Sequence, residues 1–126
     1  MKAGRQHRVP LSEQAIKLLR YREQNHLGGK LIFSTRRDVE LSDMTLTKVL
    51  RDNHIQSDVV ERVATAHGFR SAFRDWASEN SYARDLAERA LAHTIKSATE
   101  AAYHRTDQLE QRRKMMQDWA DYSMPK

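Results

Sequence analysis

The chain has 126 residues, enough for one domain with a single core, and its 39% hydrophobic and 31% charged residues are typical of a soluble globular protein. It contains no cysteine, which excludes a disulfide framework and a thiolate metal site and is compatible with a reducing cytosol. No apolar run or signal-peptide pattern indicates membrane insertion or secretion, and 22 Lys and Arg against 17 Asp and Glu give a net charge of +5 that suits a polyanionic partner.

The N-terminal segment predicts a short strand and then a helix. "RQHRVP", residues 5–10, is expected to be a strand that follows a turn at residues 2–4 and ends at Pro10. Ser12 is placed to cap a helix over "EQAIKLLRYREQ", which Gly28 and Gly29 would close.

The middle of the chain predicts a second strand and a second helix. "KLIF", residues 30–33, is short and apolar, as expected of a buried strand. Ser42 is placed to cap a helix whose apolar face is formed by Leu46, Val49 and Leu50.

Residues 65–80, "TAHGFRSAFRDWASEN", predict a helix with two distinct faces, capped by Thr65. At helical spacing its apolar residues form a stripe that is expected to pack in the core: Phe69, Ala72, Phe73 and Trp76. Nearly opposite lie His67, Arg70 and Arg74. A basic stripe of this kind is usually only a solvated surface, but it can also line a phosphate site.

The remaining sequence predicts three further helical segments. "YARDLAERALAH" (residues 82–93) is amphipathic, "SATEAAYHR" (residues 97–105) is short, and a last helix carries Leu109, Met116 and Trp119. Asp107 and Glu110 have the spacing of a capping box before that last helix. The predicted fold class is therefore mainly α, with a small β element at the N-terminus.

The six histidines fall into two groups. His67 and His93 stand at helix boundaries, whereas the other four lie in strand or polar surroundings: His7, His26, His54 and His104. No HExxH pattern or tight cluster of His and carboxylates is present, so we expect neither a metal nor another cofactor.

Four ordered blocks resemble the tyrosine recombinase (phage integrase) family, most closely integrases of bacteriophages and genomic islands. The blocks are "MKAGRQHRVPLS", "HGFRSAFRDWASE", "LAHTIKSATEAAYHR" and "RTDQLEQRRKMMQDWADY". The first resembles the family's β-hairpin, which carries a lysine shortly before "VPL". The resemblance covers nearly the whole chain, and four blocks in order are far more specific than H-x-x-R alone.

The resemblance implies a catalytic role for five residues. Tyr103 would be the nucleophile that forms a 3′-phosphotyrosyl bond with DNA, and Arg70 would hold the phosphate oxygens. His67 and His93 would donate hydrogen bonds or assist proton transfer, and Lys2 would protonate the departing 5′-oxygen. Such a site supplies its positive charge from side chains and needs no metal.

Other residues are expected to support this site or bind DNA. The DNA-backbone contacts we predict are Arg74, Arg5, Arg8 and His7, although Arg74 could instead pair with a neighbouring acid. Glu79 and Glu88 are expected to buttress the site or lie on the surface. Met116 and Trp119 could pack internally or dock on a partner subunit, since the full-length protein is expected to self-associate as a tetramer on double-stranded DNA.

The resemblance predicts that residues 1–126 are the C-terminal portion of an integrase catalytic domain, acting in the cytoplasm. The family's first catalytic arginine and its other DNA-binding domains would precede the hairpin, so we expect the chain by itself to be inactive. One alternative is a non-catalytic, basic helical DNA-binding module or the remnant of a decayed integrase. Another is an unrelated helical domain, which would require the four blocks to coincide by chance.

Overall fold

The computed structural model describes residues 7–25, 28–93 and 107–124. These residues are mainly helical, as predicted, and their helices are α1 (Glu13–Gln24), α2 (Thr45–Asp52), α3 (Gly68–Glu79), α4 (Arg84–Ala90) and α5 (Leu109–Ser123). None of these helices is long and apolar enough to cross a membrane. The predicted helix at residues 97–105 lies outside the described residues.

The chain divides into two compact units. Unit 1 comprises Met1–Ile16 and Phe73–Lys126, and unit 2 comprises Lys17–Ala72. The boundaries between them fall within α1 and within α3.

Unit 1 has a hydrophobic core formed by α3, α4 and α5. Its buried members are Phe73, Trp76, Ala77, Leu86, Ala87 and Met115, and five partly buried residues pack against them: Tyr82, Ala90, Leu91, Met116 and Trp119. The apolar stripe predicted for α3 thus packs in a core from Phe73 onward. Burying one such large side chain stabilises a fold by about 1.5–3 kcal/mol relative to leaving it exposed.

Aromatic rings connect the helices of unit 1. The Trp76 ring centroid lies 5.2 Å from that of Trp119 and 5.4 Å from that of Tyr82. Phe73 meets Trp119 edge to face at 5.5 Å. Such pairs add about 0.5–1.5 kcal/mol each beyond the area that they bury, so they fix the positions of α3 and α5.

Two of the predicted helix caps are confirmed. Ser12 Oγ accepts a hydrogen bond from the Ala15 backbone N–H at 3.2 Å, before α1. Thr65 Oγ1 accepts one from the Gly68 N–H at 3.1 Å, where α3 begins. Each hydroxyl satisfies a donor that the first turn of a helix leaves unpaired.

Three helices end in the same backbone motif without glycine. After α2, α3 and α4, one residue has a positive φ, namely His54 (52°), Ser81 (60°) and Ala92 (55°). In each case this residue and the next one donate their N–H groups to carbonyls of the last helical turn. This is the Schellman arrangement, in which glycine is the usual residue because a Cβ is strained in the left-handed region.

Unit 2 contains no buried residue among those described. It is held together by turns and by two isolated antiparallel bridges, Ser34 with Glu40 and Gln56 with Val63. Five of its apolar residues line an open depression of about 280 Å³: Leu46, Val49, Leu50, Ala66 and Phe69.

Both predicted strands are wrong for the residues that the structure describes. Residues 7–10 form no strand, and the Arg8 carbonyl instead accepts a hydrogen bond from Arg112 Nη1 at 2.8 Å. "KLIF" is likewise no buried strand, since Ile32 and Phe33 are 54% and 51% exposed. A strand requires a neighbouring strand to satisfy its backbone, and neither segment has one among the described residues.

Three local predictions also fail. Phe69 and Ala72, expected in the core, are both exposed, and Phe69, at 55% exposure, lines the depression of unit 2. Ser42 does not cap α2, since the N-cap residue is Met44, whose N–H donates to Ser42 Oγ within the preceding turn. The capping box is not formed either, because α5 has Gln108 as its N-cap, without a side-chain cap.

Candidate functional site

The best-defined part of the predicted site is a three-residue network in unit 1. Arg74, from α3, places Nη2 3.0 Å from Glu88 Oε1, and His93 places Nδ1 2.6 Å from Glu88 Oε2. Glu88 lies in α4 with its side chain only 17% exposed, whereas the side chains of Arg74 and His93 are 46% and 41% exposed. The largely buried Glu88 carboxylate therefore joins the half-exposed side chains of Arg74 and His93, which sequence analysis predicted to contact a DNA phosphate.

Electrostatics keep this carboxylate ionised. The hydrogen bond with His93 lowers the pKa of Glu88, and the positive charge of Arg74 lowers it further, against the opposing effect of burial. Oε1 is shielded from solvent and relies on the ion pair with Arg74, without a well-directed hydrogen bond. The network thus holds a negative charge at its centre and donors at its rim.

The backbone of His93 is fixed by the same residue that binds its ring. The His93 N–H donates to the Glu88 carbonyl at 2.9 Å, and the Ala92 N–H donates to the Arg89 carbonyl at 3.1 Å. These two bonds are the Schellman motif that ends α4, and Ala92 adopts the left-handed conformation that it requires. The position of His93 therefore follows directly from where α4 ends.

His67 and Arg70 lie in unit 2, at the start of α3. His67 precedes the helix and is exposed, and its carbonyl accepts a hydrogen bond from the Arg70 N–H at 3.0 Å. Arg70 is half-buried within the first turn. Both side chains belong to a helix start whose cap the structure confirms at Thr65.

Of the other predicted site residues, only His7 and Arg8 belong to the part of the chain that the structure describes. Lys2, Arg5 and Tyr103 lie outside the described residues. His7 is half-buried, and Arg8 pairs with Asp107, with 2.7 Å between Arg8 Nη2 and Asp107 Oδ2. In unit 1 the structure therefore brings together Arg74 and His93, whereas Arg8 forms a separate ion pair with a carboxylate.

Sequence analysis missed the buried arginine Arg112. It is 1% exposed, and its Nε donates to the Asp107 carbonyl at 2.9 Å while Nη1 donates to the Arg8 carbonyl. Burial lowers the pKa of Arg112, and the nearby charge of Asp107 opposes that shift. Helical spacing could have revealed it, since Arg112, Met115 and Trp119 share one face of α5.

A second network joins the aromatic cluster to α5. The Tyr82 hydroxyl donates to the Asp118 carboxylate, which also binds Lys114. Burial raises the pKa of Tyr82, and the hydrogen bond to Asp118 raises it further. Within residues 7–25, 28–93 and 107–124, no three His, Asp or Glu side chains gather in a way that could hold a metal ion.

Comparison with known proteins relates the chain to integrases. The model of the phage integrase family matches residues 1–110. The chain is 36% identical over 123 residues to prophage integrase IntA of Escherichia coli K12, covering 96% of this chain and 29% of that protein. It is 35% identical over 130 residues to the integrase of enterobacteria phage P4, covering 97% and 28%.

A third relative, prophage integrase IntZ of Escherichia coli K12, is 37% identical over 123 residues, which cover 96% of this chain and 29% of that protein. The chain thus spans less than a third of the length of these relatives. No solved structure matches the chain.

Proposed function

This chain belongs to the phage integrase family, and from that premise we propose that it is the C-terminal portion of a catalytic domain for site-specific DNA recombination. It would bind double-stranded DNA and supply the residues that cut and rejoin a strand. The full-length protein would assemble as a tetramer on its DNA. What carries this proposal is that the family match spans every motif residue that the sequence assigned, from Lys2 to Tyr103.

The proposed reaction is a transesterification at a DNA phosphate. The Tyr103 oxygen forms a bond to phosphorus, the bond to the 5′-oxygen breaks, and a 3′-phosphotyrosyl link remains. The phenol loses its proton to a histidine, and Lys2 protonates the departing 5′-oxygen. Because one phosphoester replaces another, the reverse attack by a 5′-hydroxyl rejoins a strand without ATP.

Positive charge must meet the phosphate oxygens as the reaction proceeds. Arg70 offers a planar pair of donors that stays charged at any physiological pH, and His67 and His93 add further donors. The exposure of His67 and His93 leaves both accessible to a polyanion from solution. Arg74, half-exposed beside Glu88 in unit 1, would contact the DNA backbone.

The decisive experiment removes one oxygen atom, that of the Tyr103 hydroxyl. We suggest a chimera in which this chain substitutes for the matching segment of prophage integrase IntA, incubated with a nicked DNA substrate that traps the covalent intermediate. Tyr103→Phe should abolish the protein–DNA adduct and leave DNA binding unchanged, because it deletes only the attacking oxygen. Tyr21→Phe, at an exposed position of α1, is the matched control and should leave the adduct intact.

If the Tyr103→Phe chimera still becomes attached to DNA, Tyr103 is not the nucleophile. Arg70→Ala should slow adduct formation on the order of 10²- to 10³-fold, the usual loss for one donor to a developing charge. The chain by itself, which covers 29% of the length of IntA, should form little adduct.

The proposed charge stabilisation comes from side chains, so the chimera should not require a divalent metal. Excess chelator should leave adduct formation unchanged. Loss of the adduct under chelation, with recovery on adding Mg²⁺ or Zn²⁺, would contradict the assignment of Arg70, Lys2 and the two histidines.

The net charge of +5 also supports a non-catalytic alternative, a basic DNA-binding module that only retains the motif residues. Both functions predict that the chain binds duplex DNA weakly and that affinity falls steeply with salt, because phosphate contacts release counterions. Fluorescence anisotropy between about 50 and 200 mM salt tests this shared prediction. Binding without any adduct from the chimera would favour the module, and binding that is independent of salt would contradict both.

A further inference from the structure

Glu88 makes three distinct interactions around His93. Its Oε2 lies 2.6 Å from His93 Nδ1, its carbonyl accepts the His93 N–H at 2.9 Å, and its Oε1 lies 3.0 Å from Arg74 Nη2. The His93 backbone, the His93 ring and the Arg74 guanidinium therefore all contact Glu88. The Glu88 side chain is more buried than those of its two partners.

We infer that Glu88 is a positioning residue, whose carboxylate fixes the tautomer and orientation of His93 and holds Arg74 beside it. This inference rests on the proposed function, in which His93 meets the DNA phosphate. Glu88 itself would not touch DNA, since its charge would repel phosphate and its oxygens are taken by Arg74 and His93.

The chemistry of imidazole explains why this contact matters. An ionised carboxylate can only accept, so His93 Nδ1 must carry a proton for the 2.6 Å contact to be a hydrogen bond. The ring is then locked with Nε2 on its other side, and Nε2 has no partner among the described residues. In neutral His93 this nitrogen can accept a proton, and in charged His93 it can donate to a phosphate oxygen.

The surroundings keep Glu88 available for this role. The charged groups that act on it are Arg74 from α3, Arg84 from the first turn of α4, and His93 itself, and all three are basic. They favour the ionised form of the Glu88 carboxylate. Only this form, which can accept but not donate a hydrogen bond, excludes the His93 tautomer with its proton on Nε2. The Schellman bonds to Glu88 and Arg89 prevent the His93 backbone from moving away.

The first test measures the tautomer of His93 in the chain itself by long-range ¹H–¹⁵N correlation NMR, at a pH where the ring is neutral. We expect Nδ1 to carry the proton in the unaltered chain. Glu88→Met is similar in length but removes both acceptors, so the population should move towards the Nε2–H form. Glu88→Gln keeps one acceptor and should be intermediate, and Glu79→Gln, at an exposed position of α3, should change nothing.

Equal tautomer populations with Glu, Gln and Met at position 88 would overturn the inference. The indole signals of Trp76 and Trp119 report whether each variant keeps the core of unit 1. If Glu88→Met does not fold, the comparison of the unaltered chain with Glu88→Gln still decides the question.

The second test measures the rate of adduct formation in the IntA chimera. At saturating DNA, Glu88→Met should slow the single-turnover rate about 10- to 100-fold, the loss typical of carboxylates that orient metal-binding histidines. Glu88→Gln should recover part of the rate. A rate that does not change while the tautomer does would overturn the positioning role. If no adduct forms even with Glu88 intact, the proposed function fails, and the NMR result alone then decides whether Glu88 positions His93.

Discussion

Units 1 and 2 both contain apolar residues, but among the residues that the structure describes only unit 1 buries them. In unit 1, apolar residues of α3, α4 and α5 form a buried core around Trp76 and Met115. In unit 2, none of the described residues is buried, although it contains many Val, Leu and Ile side chains, and Val60 is 86% exposed. The hydrophobic effect scales with the area removed from water, so residues of the same type stabilise unit 1 far more than unit 2.

This difference has a consequence for the proposed site. His93 and Arg74 are attached to elements that a core holds in place, whereas His67 and Arg70 belong to a unit that relies on turns and local hydrogen bonds. Segments with few buried contacts open locally at a lower free energy than the core does. We therefore expect the two halves of the predicted catalytic set to differ in rigidity.

The largest effect should come from two phenylalanines one helical turn apart in α3. Phe73 is 5% exposed in unit 1 and Phe69 is 55% exposed in unit 2. Phe73→Ala should lower the free energy of unfolding by about 3–5 kcal/mol because it leaves a cavity in the core. Phe69→Ala should lower it by less than about 1 kcal/mol. Chemical denaturation of both variants measures this, and equal losses would remove the distinction between the units.

The next effect should come from the buried guanidinium of unit 1. Arg112→Ala removes charged hydrogen bonds to the carbonyls of Arg8 and Asp107, each worth about 1.5–3 kcal/mol, so we expect a loss in that range or above it. The neighbouring Arg113 is the control, since its side chain is 54% exposed and pairs with Glu110 on the same helix. Arg113→Ala should change stability much less, because its ion pair with Glu110 is exposed to solvent. Thermal unfolding compares them, and a similar Tm for both would show that burial of Arg112 does not stabilise unit 1.

A smaller effect, of opposite sign, is expected where α4 ends. Ala92→Gly should stabilise the chain by up to about 1 kcal/mol, because φ is 55° there and glycine adopts that region without strain. Ala90→Gly, two residues earlier at the last position of α4, should destabilise the chain, because alanine is the better helix former and its side chain packs against the core. Both are read from denaturation midpoints, and a loss of stability in Ala92→Gly would contradict the strain at this position.

The smallest effect should appear in acid. The pKa of Glu88 is lowered by its hydrogen bond with His93, and the pKa of Asp118 by its hydrogen bonds with Lys114 and Tyr82. Because both are lowered on folding, their contribution is present above the unfolded value of about 4 and is lost as pH falls through the lower folded value.

Measuring Tm between about pH 7 and pH 3 checks this pH dependence. Glu88→Gln and Asp118→Asn should flatten the acid limb of the curve. Asp52→Asn, in unit 2, should leave it nearly unchanged, although Lys48 lowers the pKa of Asp52 by a hydrogen bond, because that side chain is 48% exposed. If Tm falls equally with acid in all three variants, groups other than Glu88 and Asp118 cause the loss of stability.

Periodicity and capping patterns predicted most helices of this chain because both are local. The segment "EQAIKLLRYREQ" forms α1 with Ser12 as its cap, and the stripe of α3 packs in the core from Phe73 onward. The same reasoning failed at "KLIF" and at Phe69, where apolar residues are exposed. Whether an apolar residue is buried depends on what lies next to it in space, which no local pattern contains.

The sequence by itself determined the family, the identity of the motif residues, the helix that contains Arg70 and Arg74, and the positions of His67 and His93 beside helix ends. It did so because motif spacing, helical period and capping chemistry are properties of neighbouring residues. Only the tertiary structure decided that Glu88 joins Arg74 to His93, that Arg112 is buried, and that residues 7–10 are held by side chains near α5. These contacts join residues from different elements, and several of them lie far apart in the chain. They exist only once the helices of unit 1 have packed around their core.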